Sequence, residues 1–360
     1  MNKSYYSLGL MSGTSGDGID ASVIKTDGKT QYNVLDNQFF EYPASTTNSI
    51  HQIKQKIIST NDLFKYSKDI DLLAEKLTDF HANLANEMLK KFNIDLIGFH
   101  GQTIYHNPKK KISKQIGYGD RLSKITKKTV VCNFRENDLV NGGEGAPLAP
   151  IFHKLLVEQN KIKTPVTILN IGGIANITSI INRFELSGSE DIGPGNCLID
   201  RWIRLKSDKK YDESGLIARS GTIDKLILNQ SLDNFYNSET SKKKSYDTND
   251  FDLSFAKELT LENGAATLTE FTADICSKKL TNKNIYVSGG GRKNTFLIEN
   301  IKKKISSKIR LIDTLGVDGD FIESQAFAYL AVRSFLKLPI SFPETTGCNK
   351  PCSGGKIFLK

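Results

Sequence analysis

The apolar residues of this chain follow two rhythms. Short runs at residues 6–11, 19–26, 94–99, 166–171 and 285–287 read as strands, several of them ending at glycine. Between residues 70 and 92, Leu73, Leu77, Phe80, Leu84 and Met88 recur at spacings of three and four, which predicts an amphipathic helix. Further helices are predicted over 265–280 and 323–336. The alternation predicts an α/β fold. Strands that repeatedly stop at glycine-rich turns gather those turns at one sheet edge, where α/β proteins collect their ligands. The strand-turn-strand at residue 6 and the strand at 166 read as the openings of two related halves, with domains expected at 1–150 and 151–360. The polar stretch 231–252 reads as a mobile excursion.

Three of the turns carry candidate chemistry. In Gly13-Thr14-Ser15-Gly16-Asp17-Gly18, followed by Ile19 and Asp20, the glycines admit a ligand close to the backbone and Thr14 and Ser15 add hydroxyl donors. Asp17 or Asp20 could hold a magnesium ion through water. Such a turn suits a polyphosphate, although a tight hairpin with no ligand has the same composition. The second turn is Asn170-Ile171-Gly172-Gly173-Ile174-Ala175-Asn176, and the third is Ser288-Gly289-Gly290-Gly291. None is a Walker loop, since no Gly-Lys-Ser/Thr follows, and none has dinucleotide spacing.

Composition narrows the field. With 360 residues and 38% apolar content the chain can fill the cores of two ordinary domains. No run of about 18 apolar residues is present, so no membrane span is expected, and the polar first seven residues do not resemble a signal peptide. The net charge of +9 lies in short lysine groups, such as 109–111 and 302–304, without the interleaved aromatics that stack bases. Nucleic acid is therefore not an expected partner, and a basic surface suits anionic ligands. Five cysteines form a scattered set in which Cys348 and Cys352 are the close pair. Neither a second pair nor a histidine cluster completes a zinc site, so the thiols read as structural or incidental and the compartment as reducing.

Two phosphate turns, one in each half, and a late glycine-rich adenosine turn resemble the layout of actin/hexokinase-like ATPases. The match is more specific than that. Met11 to Asp20, Gly98-Phe99-His100-Gly101-Gln102-Thr103, Asn133-Phe134-Arg135-Glu136-Asn137-Asp138 and Gly142-Gly143-Glu144-Gly145-Ala146-Pro147-Leu148 resemble signatures of the anhydro-N-acetylmuramic acid kinases. So do Asn170 to Thr178, Asp191-Ile192-Gly193-Pro194-Gly195-Asn196 and Glu323-Ser324-Gln325-Ala326-Phe327-Ala328, in family order over nearly the whole chain. Gly16 departs from the family, where a bulkier apolar residue is expected, and Ser324 stands for an alanine. The stretch from Lys244 to Phe251 fits the family's Lys-Ser motif only in part.

The resemblance implies a two-lobed fold with ATP and Mg2+ in the cleft between lobes, and a cytoplasmic enzyme of peptidoglycan recycling that forms a homodimer. It implies an amino-sugar substrate with a 1,6-anhydro bridge, opened by water at C1 while O6 receives the γ-phosphoryl group. Asp191, set before a rigid Gly-Pro-Gly turn, is the expected base, and Glu323 would orient sugar or water, although a carboxylate also suits the start of its helix. Arg135 would pair with the lactyl carboxylate, and Gln102, Thr103 and Asp138 would contact the sugar. His100 would support its turn, and Asn176 and Asn196 would shape the phosphate turns. Gly13 to Asp20, Asn170, Gly172, Gly173, Asn176, Gly289 and Gly290 would surround the nucleotide. Two other readings stay open: a kinase of another hexose or amino sugar, and an actin-like nucleotide-driven assembly protein. The latter has no need of the blocks at 133–138 and 142–148.

Overall fold

The computed structural model describes residues 3–182, 185–242 and 245–360. The strands are β1 (Tyr5–Ser12), β2 (Gly18–Thr26), β3 (Tyr32–Glu41), β4 (Leu96–Asn107), β5 (Ile112–Ile116), β6 (Thr129–Cys132), β7 (Val166–Ile171), β8 (Ala175–Asn182), β9 (Glu185–Gly193), β10 (Asn284–Ser288), β11 (Lys308–Leu311) and β12 (Lys356–Phe358). The predicted strands and helices recur within a few residues of their expected ends, except that the strand expected over 94–99 is β4, which runs on to Asn107. The helix expected over 70–92, for example, is Ser67–Lys91.

The chain divides into two compact units. One runs to Lys161 and takes up Phe321–Lys360; the other is Ile162–Asp320. The expected division at residue 150 is therefore corrected on the C-terminal side, because the last forty residues return to the first unit.

Both units repeat one topology. In the first sheet, β1, β2 and β3 form an antiparallel meander, and β4 and then β6 add in parallel beside β1, in the order β12-β6-β4-β1-β2-β3 with β5 on β4. In the second, β7, β8 and β9 form the meander and β10 and β11 add in parallel beside β7. This duplicated α/β arrangement is the class that the actin/hexokinase-like resemblance implies.

The return of the C-terminus has a local cause. Gly9 and Gly98 are register partners on β1 and β4. A Cβ on Gly9 would lie 1.9 Å from the Ser324 carbonyl oxygen, and one on Gly98 would lie 2.3 Å from that of Phe327. Two side-by-side glycines thus cut a groove into the sheet, and the helix Ile322–Phe335 lies in it. The same helix contributes Phe327, Leu330 and Ala331 to a cluster with Leu96, Val131 and Phe134. In the second unit, Trp202 is fully buried and its indole N–H donates to the Leu261 carbonyl at 2.8 Å. Phe251 and Leu253 join the Trp202 cluster, and residues 231–237 belong to the helix Lys225–Asn237. Much of the stretch expected as an excursion is therefore helical or anchored; Lys244, of the partial Lys-Ser motif, lies outside the described residues.

Replacing Gly9 with alanine must push the helix off the sheet. Gly9→Ala is expected to cost about 1–3 kcal/mol or more, read as a lowered midpoint in urea unfolding.

Candidate active site

The first glycine turn, residues 13–17, joins β1 to β2. Gly16 adopts φ +64, and a Cβ there would lie 2.9 Å from Ile50 Cγ2. That explains the departure from the family pattern: the backbone is left-handed and Ile50 fills the space where an apolar side chain would stand. The helix Ala44–Lys56 holds the turn from outside, with Lys54 Nζ donating to the Thr14 carbonyl at 2.9 Å and a His51 ring nitrogen 2.7 Å from that of Ser15. Ser15 donates to Asp17 at 2.6 Å. A Cβ on Gly13 would meet only Ser15 Oγ, at 3.8 Å, so open space lies over this backbone. Ile19 is a core residue with no exposure, so its contribution to a ligand is limited to its backbone. Asp20 stands opposite Met11 in the ladder.

Gln102 is fully buried. Its Oε1 accepts from Ser12 at 2.7 Å, and its Nε2 donates to the carbonyls of Gly13 at 3.0 Å and Thr103 at 3.2 Å. Ser12 Oγ also lies 3.1 Å from the Gly18 carbonyl oxygen and accepts from Tyr42. The side chain expected to meet a sugar therefore braces both ends of the first glycine turn. Thr103 remains partly exposed, and its hydroxyl accepts from Gln115 at 3.1 Å.

Arg135 gathers the other polar groups of this unit. Its Nη1 donates to the Gly145 carbonyl at 2.9 Å and its Nη2 to His100 Nε2 at 2.9 Å. His100 Nδ1 lies 2.7 Å from the Gly101 carbonyl, so the ring is neutral, donating through Nδ1 and accepting through Nε2. Burial, aided by the Arg135 charge, drives its pKa down to about 3. Glu323, at the first turn of the helix Ile322–Phe335, feels the same guanidinium. Burial pushes its carboxyl up, and Arg135 opposes the rise. A carboxyl under these two influences is suited to trading a proton or a hydrogen bond with substrate.

Asp138 is buried with both oxygens engaged, Oδ2 accepting from the Gly145 N–H at 2.6 Å and Oδ1 from Thr346 Oγ1 at 2.6 Å. The Gly145 peptide is thus gripped at its N–H by Asp138 and at its carbonyl by Arg135. Asp138 shapes the 142–148 loop rather than facing outward.

In the second unit the register sets Ser288, Asn170, Asn176 and Asp191 side by side across β10, β7, β8 and β9. Ser288 Oγ lies 3.4 Å from Asn170 Oδ1. Asp191 is half-buried, and its Oδ2 accepts from the Tyr246 N–H at 2.8 Å. The neighbouring turns are stitched together: Asn196 N–H donates to the Gly172 carbonyl at 2.8 Å, Cys197 N–H to that of Gly173 at 3.1 Å, and a Cβ on Gly289 would meet Asn170 Oδ1 at 2.5 Å. A Cβ on Gly290 would meet nothing within 4 Å, and one on Gly172 nothing nearer than 3.6 Å. Open space over Gly172 and Gly290 therefore matches that over Gly13 in the first unit.

Sequence reasoning missed Arg292. Only 5% exposed, it donates to Asp313 Oδ2 at 2.8 Å, to Asp320 Oδ1 at 2.5 Å and to the Gly289 carbonyl at 3.2 Å. These bonds tie the 313–320 loop to the glycine turn. Asp313, Asp318 and Asp320, spaced through one loop, were the available signal.

Duplicated α/β units, each with an open glycine turn at the end of its first strand and polar side chains beside it, are the arrangement of the actin/hexokinase-like class. The model of the family described as anhydro-N-acetylmuramic acid kinase matches residues 5–360. A protein of that name from Pelagibacter ubique (strain HTCC1062) is 52% identical over 371 residues, covering 99% of each chain. Another, from Zymomonas mobilis subsp. mobilis, is 38% identical over 365 residues, covering 97% of this chain and 98% of its own. The chain belongs to the anhydro-N-acetylmuramic acid kinase family. No helix among the described residues is long and apolar enough to cross a membrane.

The buried imidazoles make stability depend on pH. Burial lowers His81, His106 and His153 to about 4 and, with Arg135, His100 to about 3. The unfolded chain takes up these protons below about pH 6.5 while the native state does not, so stability falls as pH drops from 6.5 toward 4. The expected slope approaches about 1.4 kcal/mol per pH unit for each ring. Urea unfolding at pH 7.5, 6 and 5 measures it, and His100→Asn is expected to flatten it.

Proposed function

We propose that this chain uses ATP to phosphorylate 1,6-anhydro-N-acetylmuramic acid, giving N-acetylmuramic acid 6-phosphate for peptidoglycan recycling in the cytoplasm. The observation that carries the reading is the row that sets the Asp191 carboxylate beside Asn170 and Asn176, next to the open second turn. The family name and the full-length identity to relatives of that name support the substrate.

The substrate has no free 6-hydroxyl, so two bonds must change together. A water oxygen attacks C1 and gives its proton to Asp191. The C1–O6 bond breaks, O6 takes the γ-phosphoryl group, and ADP leaves with the electrons of the broken P–O bond. Sugar, water and ATP thus yield the 6-phosphate and ADP with all atoms accounted for. The Tyr246 N–H donates to Asp191 Oδ2 and so orients the carboxylate that takes the water's proton. Arg135 meets the lactyl carboxylate, Glu323 and Thr103 orient the sugar, and Gln102 and Asp138 act by positioning the turns that they brace. The open backbones of Gly13, Gly172 and Gly290 fit the phosphates and nucleotide. A magnesium ion accompanying ATP would be held through Asp17 or Asp20 and would neutralise phosphate charge. The resemblance also supports a homodimer, which light scattering reads directly.

Turnover with this sugar and ATP in oxygen-18 water is expected to place label at C1 of the sugar phosphate. Asp191→Asn should lower kcat by about 10²–10⁴. ADP formation with ordinary hexoses but not with the anhydro sugar would overturn the substrate assignment. Gly290→Ala, whose methyl meets open space, should leave the melting temperature unchanged and raise KM for ATP about tenfold, or about 1.4 kcal/mol.

A further inference from the structure

The close cysteine pair acquires a third partner in the fold. The thiols of Cys348 and Cys352 and a carboxylate oxygen of Asp138 all lie within 4.8 Å of one another, and all three residues are buried. Cys348 and Cys352 are free thiols. We infer that Asp138, Cys348 and Cys352 form a binding site for a thiophilic divalent cation of the zinc class.

The donors sit on a fixed frame. Cys352 pairs with Ser341 in an antiparallel bridge, which closes the intervening loop at its base. The loop is tied to the Asp138 segment by Thr346 Oγ1 on Asp138 at 2.6 Å, by the Glu144 N–H on the Thr346 carbonyl at 2.8 Å and by the Asn349 N–H on the Asn141 carbonyl at 3.0 Å. Cys348 follows Gly347, whose φ of +74 turns the chain back after the short helix Pro343–Thr346. Zinc sits about 2.3 Å from sulfur and about 2.0–2.2 Å from oxygen, which sets its ligand atoms roughly 3.5–4 Å apart. The observed cluster needs only a small contraction to reach that spacing. Asp138 has accepted one hydrogen bond on each oxygen, and a carboxylate offers about four lone-pair positions.

Charge and proton balance are consistent with the assignment. Each cation bound displaces two thiol protons to solvent, leaving two thiolates and a carboxylate around a double positive charge. The guanidinium of Arg135, on the far side of the Gly145 peptide that Asp138 grips, offsets the remaining negative charge. The competing use of two adjacent thiols is a disulfide. A carboxylate aimed at the same point contributes nothing to a disulfide, whereas it completes a three-donor cation set. The site stands behind the 142–148 loop, so the cation would stiffen the Asp138–Gly145–Arg135 linkage.

The test uses the full chain stripped of metal. Titration with Co2+ is expected to produce thiolate-to-cobalt charge-transfer absorption that saturates at one ion per chain, and native mass spectrometry should show one bound Zn2+. Cys348→Ser and Cys352→Ser should each weaken binding by at least about 100-fold, while Cys132→Ser, outside the cluster, leaves the titration unchanged. The melting temperature of each metal-free variant checks its fold. A folded wild-type chain with no charge-transfer band and no bound zinc would overturn the site. So would a Cys348–Cys352 disulfide, seen as the loss of two hydrogens, forming with peroxide at equal rates with and without zinc.

Discussion

The arrangement of the first unit depends on one close contact: a helix backbone resting on two glycines. Gly9 and Gly98 lie next to each other on parallel strands, and the helix Ile322–Phe335 approaches so closely that neither position has room for a methyl group. Burial of Phe327, Leu330 and Ala331 supplies the attraction, and the glycines set its distance. The contact fixes where Glu323 stands, in the first turn of that helix and within the influence of Arg135. It also draws the last forty residues back to a sheet whose other strands were made before residue 133.

The polar part of this unit works as a chain of grips rather than a set of independent contacts. Ser12 and Gln102 hold the turn after β1, Arg135 holds His100 and the Gly145 carbonyl, and Asp138 holds the Gly145 N–H. Each buried donor or acceptor would be costly if left alone. Loss of one grip is therefore felt at the next, and substitutions here are expected to be non-additive. The second unit reaches the same end by register, lining Asn170, Asn176 and Asp191 across three strands.

The elements and the three turns were legible in the sequence because they rest on local rules: apolar periodicity and glycine at turns. The family was legible because whole motifs survive in order. The role of Gln102 was not, since what separates a sugar contact from a brace is a hydrogen bond to Ser12, ninety positions away. Asp138 met the same difficulty, because its partner Thr346 lies 208 residues further on. Arg292 gave no signal by itself, and its three aspartates look like an ordinary solvated loop until the fold folds them around it. The cysteine pair read as incidental for the same reason: its third partner is remote in sequence. The odd Gly16 is explained by a neighbour, Ile50, that no local rule points to.

The first unit is assembled from both ends of the chain, with the second inserted as one continuous piece, Ile162–Asp320. A ribosome makes these parts in order. When residue 320 leaves the exit tunnel, the inserted unit has all of its strands and can fold, whereas the earlier sheet still has a bare glycine groove and lacks its covering helix. Domains fold as units during synthesis, and apolar surface left waiting is prone to misassembly. The interval between translation of β6 and of residue 335 is therefore the vulnerable period in the life of this protein, and the groove over Gly9 and Gly98 is the surface that a chaperone would shelter.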